Sequence, residues 1–198
     1  MLISILASLP GIVIAMTIHE FGHAFVANLM GDDTAKRAGR MTLDPMKHID
    51  PMGFIMLIIA RFGWAKPVPV NPYNFKHERI GSLLVSLAGP LFNIVMAVIA
   101  IYISVFLGPF VRVEAFYEVM DNVMWYNIMF AAFNLLPIPP LDGSQIVGAF
   151  LPFKYRFLMQ KYEGIGTAIM IFLLFTNTIQ YVLSPMINMV VSIITRLV

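Results

Sequence analysis

The chain contains no cysteine. That excludes a disulfide framework and any thiolate metal or redox site. Charge is nearly as scarce. Asp, Glu, Lys and Arg make up 12% of the 198 residues, about half the share found in soluble proteins. The formal net charge of +2 is too small to hold a phosphate backbone, so no nucleic-acid partner is expected. No internal repeat or low-complexity linker divides the chain. What the sequence has instead is apolar surface, with 59% hydrophobic residues and a mean hydropathy of +0.81. Such a chain cannot cover itself with polar groups in water, and disorder needs the opposite composition. A soluble domain and a disordered segment are both excluded. Residues 1–198 read as one membrane-embedded domain with the lipid bilayer as its surroundings.

A hydrocarbon core about 30 Å thick needs about 20 apolar residues as helix. Residues 1–18, 81–111, 122–141 and 164–195 carry no charge. They predict spans at 2–29, 80–107, 121–137 and 164–183. Pro185 is expected to break the last run, because proline lacks the N–H that an inner helical turn needs. Residues 185–197 are then a further span or an interfacial helix. Residues 51–60 make half a crossing and predict a re-entrant segment extending to 63. The polar stretch 34–44, turned at Gly39, predicts a short hairpin. Lys66-Pro67-Val68-Pro69-Val70-Asn71-Pro72 reads as extended chain, since a residue before proline is pushed toward β or polyproline geometry. The expected fold is an all-α polytopic membrane protein of four to six transmembrane helices, with a small β-hairpin or re-entrant element after the first. The N-terminal run has no basic leader or cleavage site and is read as a span, not a signal peptide. Lys and Arg crowd loops 30–50, 61–79 and 152–163, while 108–121 holds only Arg112 beside Glu114, Glu118 and Asp121. The basic loops are assigned to the cytoplasm.

Inside the first run stands His19-Glu20-Phe21-Gly22-His23. Residues four apart share a helix face, so both imidazoles point to one spot. The glutamate lies one residue round, within reach of a water held there. This is the HExxH zinc pattern, with two His ligands and a Glu general base. A pair of satisfied interior histidines is the plain alternative, but ionisable groups at membrane depth are costly without mutual or metal compensation. A catalytic zinc takes three protein ligands and keeps one position open. His48 and His77 lie in basic loops and are expected to be solvated. Glu118 and Asp121 fall on the opposite side of the membrane. Asp142 follows Asn134-Leu135-Leu136-Pro137-Ile138-Pro139-Pro140-Leu141, whose prolines must interrupt a helix. It is favoured as the third ligand over an ordinary cap of the helix beginning near Ser144. A helix from residue 2 rises about 26 Å by His19. That depth matches the point where the span from 121 reaches its proline break.

Asn93 and Asn134 are candidates to hydrogen-bond a substrate carbonyl or oxyanion, or to orient a ligand. Interhelical hydrogen bonding is the alternative for each. Ser82, Ser86 and Gly89 are spaced for close helix packing and read as structural.

Four strings together resemble the site-2 proteases, intramembrane zinc metalloproteases. They are His19–His23, Lys66-Pro-Val-Pro-Val-Asn71, Ala88-Gly-Pro-Leu-Phe-Asn93 and Asn134 through Gly143, in the family's order. The resemblance implies a three-helix catalytic core, Zn2+ held by His19, His23 and Asp142, and Glu20 as catalytic base. It implies a minimal form, without the PDZ or CBS domains of some relatives. The expected activity is endoproteolysis within or near the transmembrane segment of a single-span membrane-protein substrate. The expected location is a prokaryotic plasma membrane, with the active site toward the cytoplasm. A substrate helix must unwind before attack. The hairpin, the re-entrant segment and the Pro-Val-Pro-Val strand are candidates to present an edge to it. A metal or proton transporter, or a non-catalytic scaffold, would use the same residues differently. The lack of paired repeats with interrupted helices weighs against transport.

Overall fold

The computed structural model describes residues 2–60, 63–176 and 178–196. Arg61 and Phe62 in the expected re-entrant segment 51–63, Asn177 in the fourth expected span, and Leu197 in the expected terminal segment lie outside the described residues. Helix α1 (Leu2–Met30) continues without interruption through the charged motif. After a turn at Gly31 come α2 (Thr34–Arg37), a 3-10 turn at Pro45–Lys47 and α3 (Pro51–Ala60). The extended Pro-Val-Pro-Val stretch leads through a 3-10 turn at Pro72–Asn74 into α4 (Glu78–Val111), followed by α5 (Glu114–Asn134). The short helices α6 (Asp142–Phe150) and α7 (Phe153–Lys161) precede α8 (Glu163–Phe175) and α9 (Ile179–Ile194).

Helices α1, α4 and α5 pack mutually, α6 lies on α4, and α9 lies on α5. Many of the buried positions of the three long helices are small. Ala15, Ala24, Ala27, Ala97, Ala100, Ala131 and Ala132 are fully covered, which lets helix backbones approach closely where lipid gives no hydrophobic drive. The large apolar side chains face outward instead, among them Leu91, Val95, Phe106 and Phe110. An exposed apolar belt around a small-residue core is the arrangement of an integral membrane protein.

Two helices, Ser8–Met30 of α1 and the 34-residue α4, are long and apolar enough to cross a bilayer. With its 21 residues α5 has the length, but its first two turns carry Glu114, Glu118 and Asp121. The expected span at 164–183 is broken. Helices α8 and α9 meet at 97°, and counting this bent pair as one span brings the total to three. The break falls not at Pro185, which sits inside α9, but at two threonines. Thr176 Oγ1 donates back to Phe172 O at 2.9 Å, and Thr178 N donates to Leu173 O at 3.1 Å. Together they turn the chain back onto two carbonyls in the last turn of α8.

The hairpin at 34–44 does not form. Among the described residues there is no strand, only one antiparallel bridge between Ile49 and Ala65. Arg37 N and Ala38 N donate to Asp33 O and Thr34 O, and Arg37 pairs with Asp33 one turn away at 2.7 Å. Local helical bonds therefore take the donors that a hairpin ladder would need. Gly39 does turn the chain, with φ +65°, but after a single helical turn rather than between strands.

The extended stretch 66–69 is anchored inward. Lys66 N donates to His48 O at 2.8 Å, and Lys66 O accepts from Arg40 Nη2 at 2.6 Å. Val68 N donates to Glu20 Oε2 at 2.8 Å, while Pro67 and Pro69 have no N–H. Every backbone donor of these four residues is spent inside the protein or absent. As an edge, this stretch could offer an incoming chain carbonyls alone. His48, expected to be solvated, is fully buried beneath it, with Nε2 against Thr42 O at 2.9 Å. His77 is exposed ahead of α4.

Candidate metal centre

The two histidines of α1 are each gripped from behind. His23 Nδ1 lies 2.8 Å from Val85 O. A carbonyl can only accept, so this contact assigns the ring proton to Nδ1 and leaves the lone pair on Nε2. Pro90 removes one N–H from the α4 ladder close by, and its ring disfavours a regular turn there. His19 Nδ1 lies 2.7 Å from Asn93 Oδ1. The orientation of that amide is fixed in turn. Asn93 Nδ2 donates to Ala15 O and to Asn127 Oδ1, both at 2.8 Å, and Asn127 Nδ2 donates to Val123 O at 2.7 Å. Each link ends on a group that only accepts, so His19 also carries its proton on Nδ1.

Both Nε2 atoms therefore point their lone pairs at one place, 3.0 Å from each other. Asp142 completes the set. Its Oδ2 stands 3.2 Å from His19 Nε2 and 3.3 Å from His23 Nε2. It is buried without a hydrogen-bond donor. The proline-rich turn after α5, with a cis Pro139–Pro140 bond, brings α6 in so that Asp142 opens it. Gly143 lets this happen, because a Cβ there would stand 2.3 Å from Leu135 O. Gly89 does the same on the other wall, where a Cβ would meet His19 Cε1 at 2.5 Å and His23 Cε1 at 2.7 Å. The sequence reading of Gly89 as mere helix packing is thus too weak; its missing side chain is the space that the imidazoles fill.

Three such groups at these separations need a shared positive charge, from protons or from a metal ion. A tetrahedral ion with ligands at about 2.0–2.1 Å sets its ligand atoms about 3.3 Å apart. The observed 3.0–3.3 Å edges and the N, N, O donor set fit a zinc ion. Among the described residues this is the group of His and carboxylate side chains that could hold a metal.

Glu20 is buried beside its neighbours in α1, with Oε2 held by Val68 N. Asn93 is brought to the centre, but behind the ligand. Both of its N–H groups are used within the protein, so in this geometry it orients His19 and does not reach a substrate. Asn134 turns away from this network; its Nδ2 donates to Phe130 O one turn back, at 3.0 Å. Sequence reasoning missed Asn127, a buried amide on the uncharged face of α5. It also missed the backbone groups Val85 O, Ala15 O and Val68 N, which leave no mark in side-chain chemistry.

Beyond the end of α1, Asp32 is a second buried anchor. Its carboxylate accepts from Asn71 N and Asn74 Nδ2, each at 2.7 Å, and from the Thr34 hydroxyl. Burial alone would raise its pKa; the bonds from Thr34, Asn71 and Asn74 outweigh that and hold it below the ordinary 3.8.

An apolar helical bundle with two imidazoles and a carboxylate converging inside it defines a membrane protein built to hold a metal ion. A family model described as Peptidase family M50 matches residues 111–177, the stretch that contains Asp142. The chain is 41% identical over 183 residues to a Bacillus subtilis protein with the provisional name zinc metalloprotease YwhC, covering 89% of this chain and 84% of that one. It is 36% identical over 148 residues to the similarly named Rip2 of Mycolicibacterium smegmatis, covering 68% of this chain and 53% of Rip2. It is 24% identical over 145 residues to zinc metalloprotease MJ0392 of Methanocaldococcus jannaschii, covering 73% and 34%. No solved structure matches the chain significantly. The chain belongs to peptidase family M50, the site-2 protease family.

Proposed function

We propose that the chain is an intramembrane zinc endopeptidase that cuts single-span membrane-protein substrates within or near their transmembrane segment. The reading carries over zinc and peptide-bond hydrolysis from the relatives' names. One observation carries it: the Nε2 atoms of His19 and His23 and Oδ2 of Asp142 face one another at 3.0–3.3 Å, while the Nδ1 atom of each imidazole is turned to an acceptor behind it. In this reading those three residues hold the ion and Glu20 is the catalytic base. A zinc ion bound there supplies Lewis-acid polarisation of the scissile carbonyl and lowers the pKa of water toward about 7.

The chain's own groups do the rest. Val85 and Asn93 hold the imidazole rings in the tautomer and orientation that ligation needs. Glu20 takes the proton of the attacking water on the oxygen that Val68 does not hold, then delivers it to the leaving amine. The Val68 N–H keeps the carboxylate from rotating between those two tasks. The small-residue packing of α1, α4 and α5 keeps lipid out of the centre. We assign the protein to a prokaryotic plasma membrane as a multi-pass protein, from its compact form and its bacterial and archaeal relatives, with its centre toward the cytoplasm on the strength of its basic loops.

The test is metal content together with cleavage of a single-span model substrate, wild type against Glu20→Gln. Retained zinc with cleavage reduced by orders of magnitude is expected. Cleavage by Glu20→Gln at the wild-type rate would refute the role given to Glu20. Zinc flux in proteoliposomes without proteolysis would replace the peptidase reading with transport.

A further inference from the structure

The seam between α4 and α6 continues past the metal ligands. Glu78, Ser82, Val85 and Gly89 recur at spacings of four, three and four, which puts them on one stripe of α4. Asp142, Gln145 and Ala149 form the matching stripe of α6. The helices pack against each other and run in opposite directions. Val85 and Gly89 stand at the Asp142 end, while Arg79 Nη2 donates to Leu151 O beyond the far end of α6, at 2.6 Å. Between these two ends the same stripes wall a cavity of about 250 Å³, with Glu78 and Ser82 on one side, Gln145 and Ala149 on the other, and Tyr73 beside them. Gln145 lies one turn, about 4.5 Å along the axis, from Asp142, and Ser82 lies equally far from Val85. The cavity is thus the next compartment along the seam that ends at the triad.

We propose that this cavity is a substrate subsite. It holds, in extended form, the two or so residues of the substrate polypeptide that lie on the Glu78 side of the cleaved bond. The inference rests on the peptidase reading and deepens it. An unwound segment carries bare N–H and C=O groups that must find partners. The walls offer both kinds, from the Ser82 hydroxyl and the Gln145 amide. The span from Gln145 to Ala149 is about 6 Å along the helix, the length of about two extended residues. An acyl chain would leave these polar groups facing hydrocarbon. Water alone, about eight molecules at roughly 30 Å³ each, is the competing occupant.

The absence of cysteine makes the test clean, because a single introduced thiol has no background. Ser82→Cys and Ala149→Cys are made in the full chain, with Lys47→Cys in an exposed loop as control. The probe is a leucine–alanine single-span peptide with an Asn-Gly interruption. In the Glu20→Gln background, saturating peptide is expected to slow reaction with a hydrophilic thiol reagent roughly tenfold at 82 and 149 but not at 47, in line with the effect of a filled pocket. In the active background, a bulky label at either position is expected to lower cleavage roughly tenfold relative to the same variant unlabelled, with zinc content unchanged. Equal labelling rates with and without peptide would mean that the cavity holds water only and would overturn the inference, leaving the peptidase reading intact. Failure of unlabelled wild-type chain to cleave the peptide would overturn that reading, and the subsite with it.

Discussion

Replacing Gly89 by alanine sets two effects of opposite sign against each other. In a helix interior, alanine is favoured over glycine by about 1 kcal/mol, so α4 itself gains. The added methyl, however, would stand 2.5 Å from His19 Cε1 and 2.7 Å from His23 Cε1 and Nε2. Carbon atoms settle at about 3.5 Å or more, so the rings must retreat by about 1 Å. Metal–ligand distances tolerate about ±0.2 Å, so the retreat is several times what ligation allows. The rings cannot simply turn, because Val85 O and Asn93 Oδ1 hold their far sides at 2.8 and 2.7 Å. Losing a single outer partner of a metal ligand already weakens metal affinity about 10- to 100-fold, and here both imidazoles are displaced. The expected outcome is a zinc affinity lower by about 100-fold or more. Helix content by circular dichroism should be unchanged, and thermal stability of the metal-free protein unchanged or slightly raised. A competition titration with a chromogenic chelator reads the first, and a melting curve in chelator reads the second. Wild-type zinc affinity in Gly89→Ala would refute the claim that the empty Cβ position is what admits the two rings.

Asn93→Ala should weaken zinc binding about 10- to 100-fold, because His19 Nδ1 loses the Asn93 Oδ1 that holds it and Ala15 O and Asn127 Oδ1 lose the amide that donates to them; the same titration reads it. Arg40→Ala should leave zinc bound yet slow cleavage, since Lys66 O loses a charge-assisted hydrogen bond of the kind worth about 1.5–3 kcal/mol and the stretch that holds Glu20 loosens; Arg40→Lys should recover part of the rate. Asp32 has a folded pKa below its unfolded value. Its contribution is therefore complete above the ordinary 3.8 and is lost as pH falls through the lower folded value. Hydrogen exchange should show protection of the Asn71 amide collapsing in that acid window in the wild type, while Asp32→Asn should be weakly protected throughout and indifferent to pH there.

The parts of the fold that could be read from the sequence are those fixed by composition over a long window. The uncharged runs gave α1 and α4 because no single residue within them has to be interpreted. The run from 164 to 195 misled because its end signals are local and compete. Proline at 185 is the stronger helix breaker in water. Within a bundle a neighbouring helix can satisfy the freed carbonyl, whereas the Thr176 hydroxyl and the Thr178 backbone N–H turn back onto Phe172 O and Leu173 O of α8. The stretch at 34–44 misled for a related reason. A glycine turn is necessary for a hairpin but not sufficient, and the Asp33–Arg37 pair one turn apart favours helix before any strand partner is available.

The site divides along the same line. His19, Glu20, His23 and Asp142 announce themselves because charge at membrane depth demands compensation. Asn127 does not, since an amide in an apolar helix reads equally well as interhelical glue. Its role appears only when the donors of Asn93 are counted and one is found to end on it. Val68 illustrates the limit most sharply. Nothing in its side chain bears on Glu20. Its N–H reaches the carboxylate because Pro67 and Pro69 remove the neighbouring donors and because Arg40 and His48, both buried, hold Lys66 from two sides. A loop arginine and a loop histidine that composition assigns to solvent are thus part of what positions the residue proposed as the base. That dependence is why Arg40→Ala, remote from the metal in sequence, separates ligation from turnover.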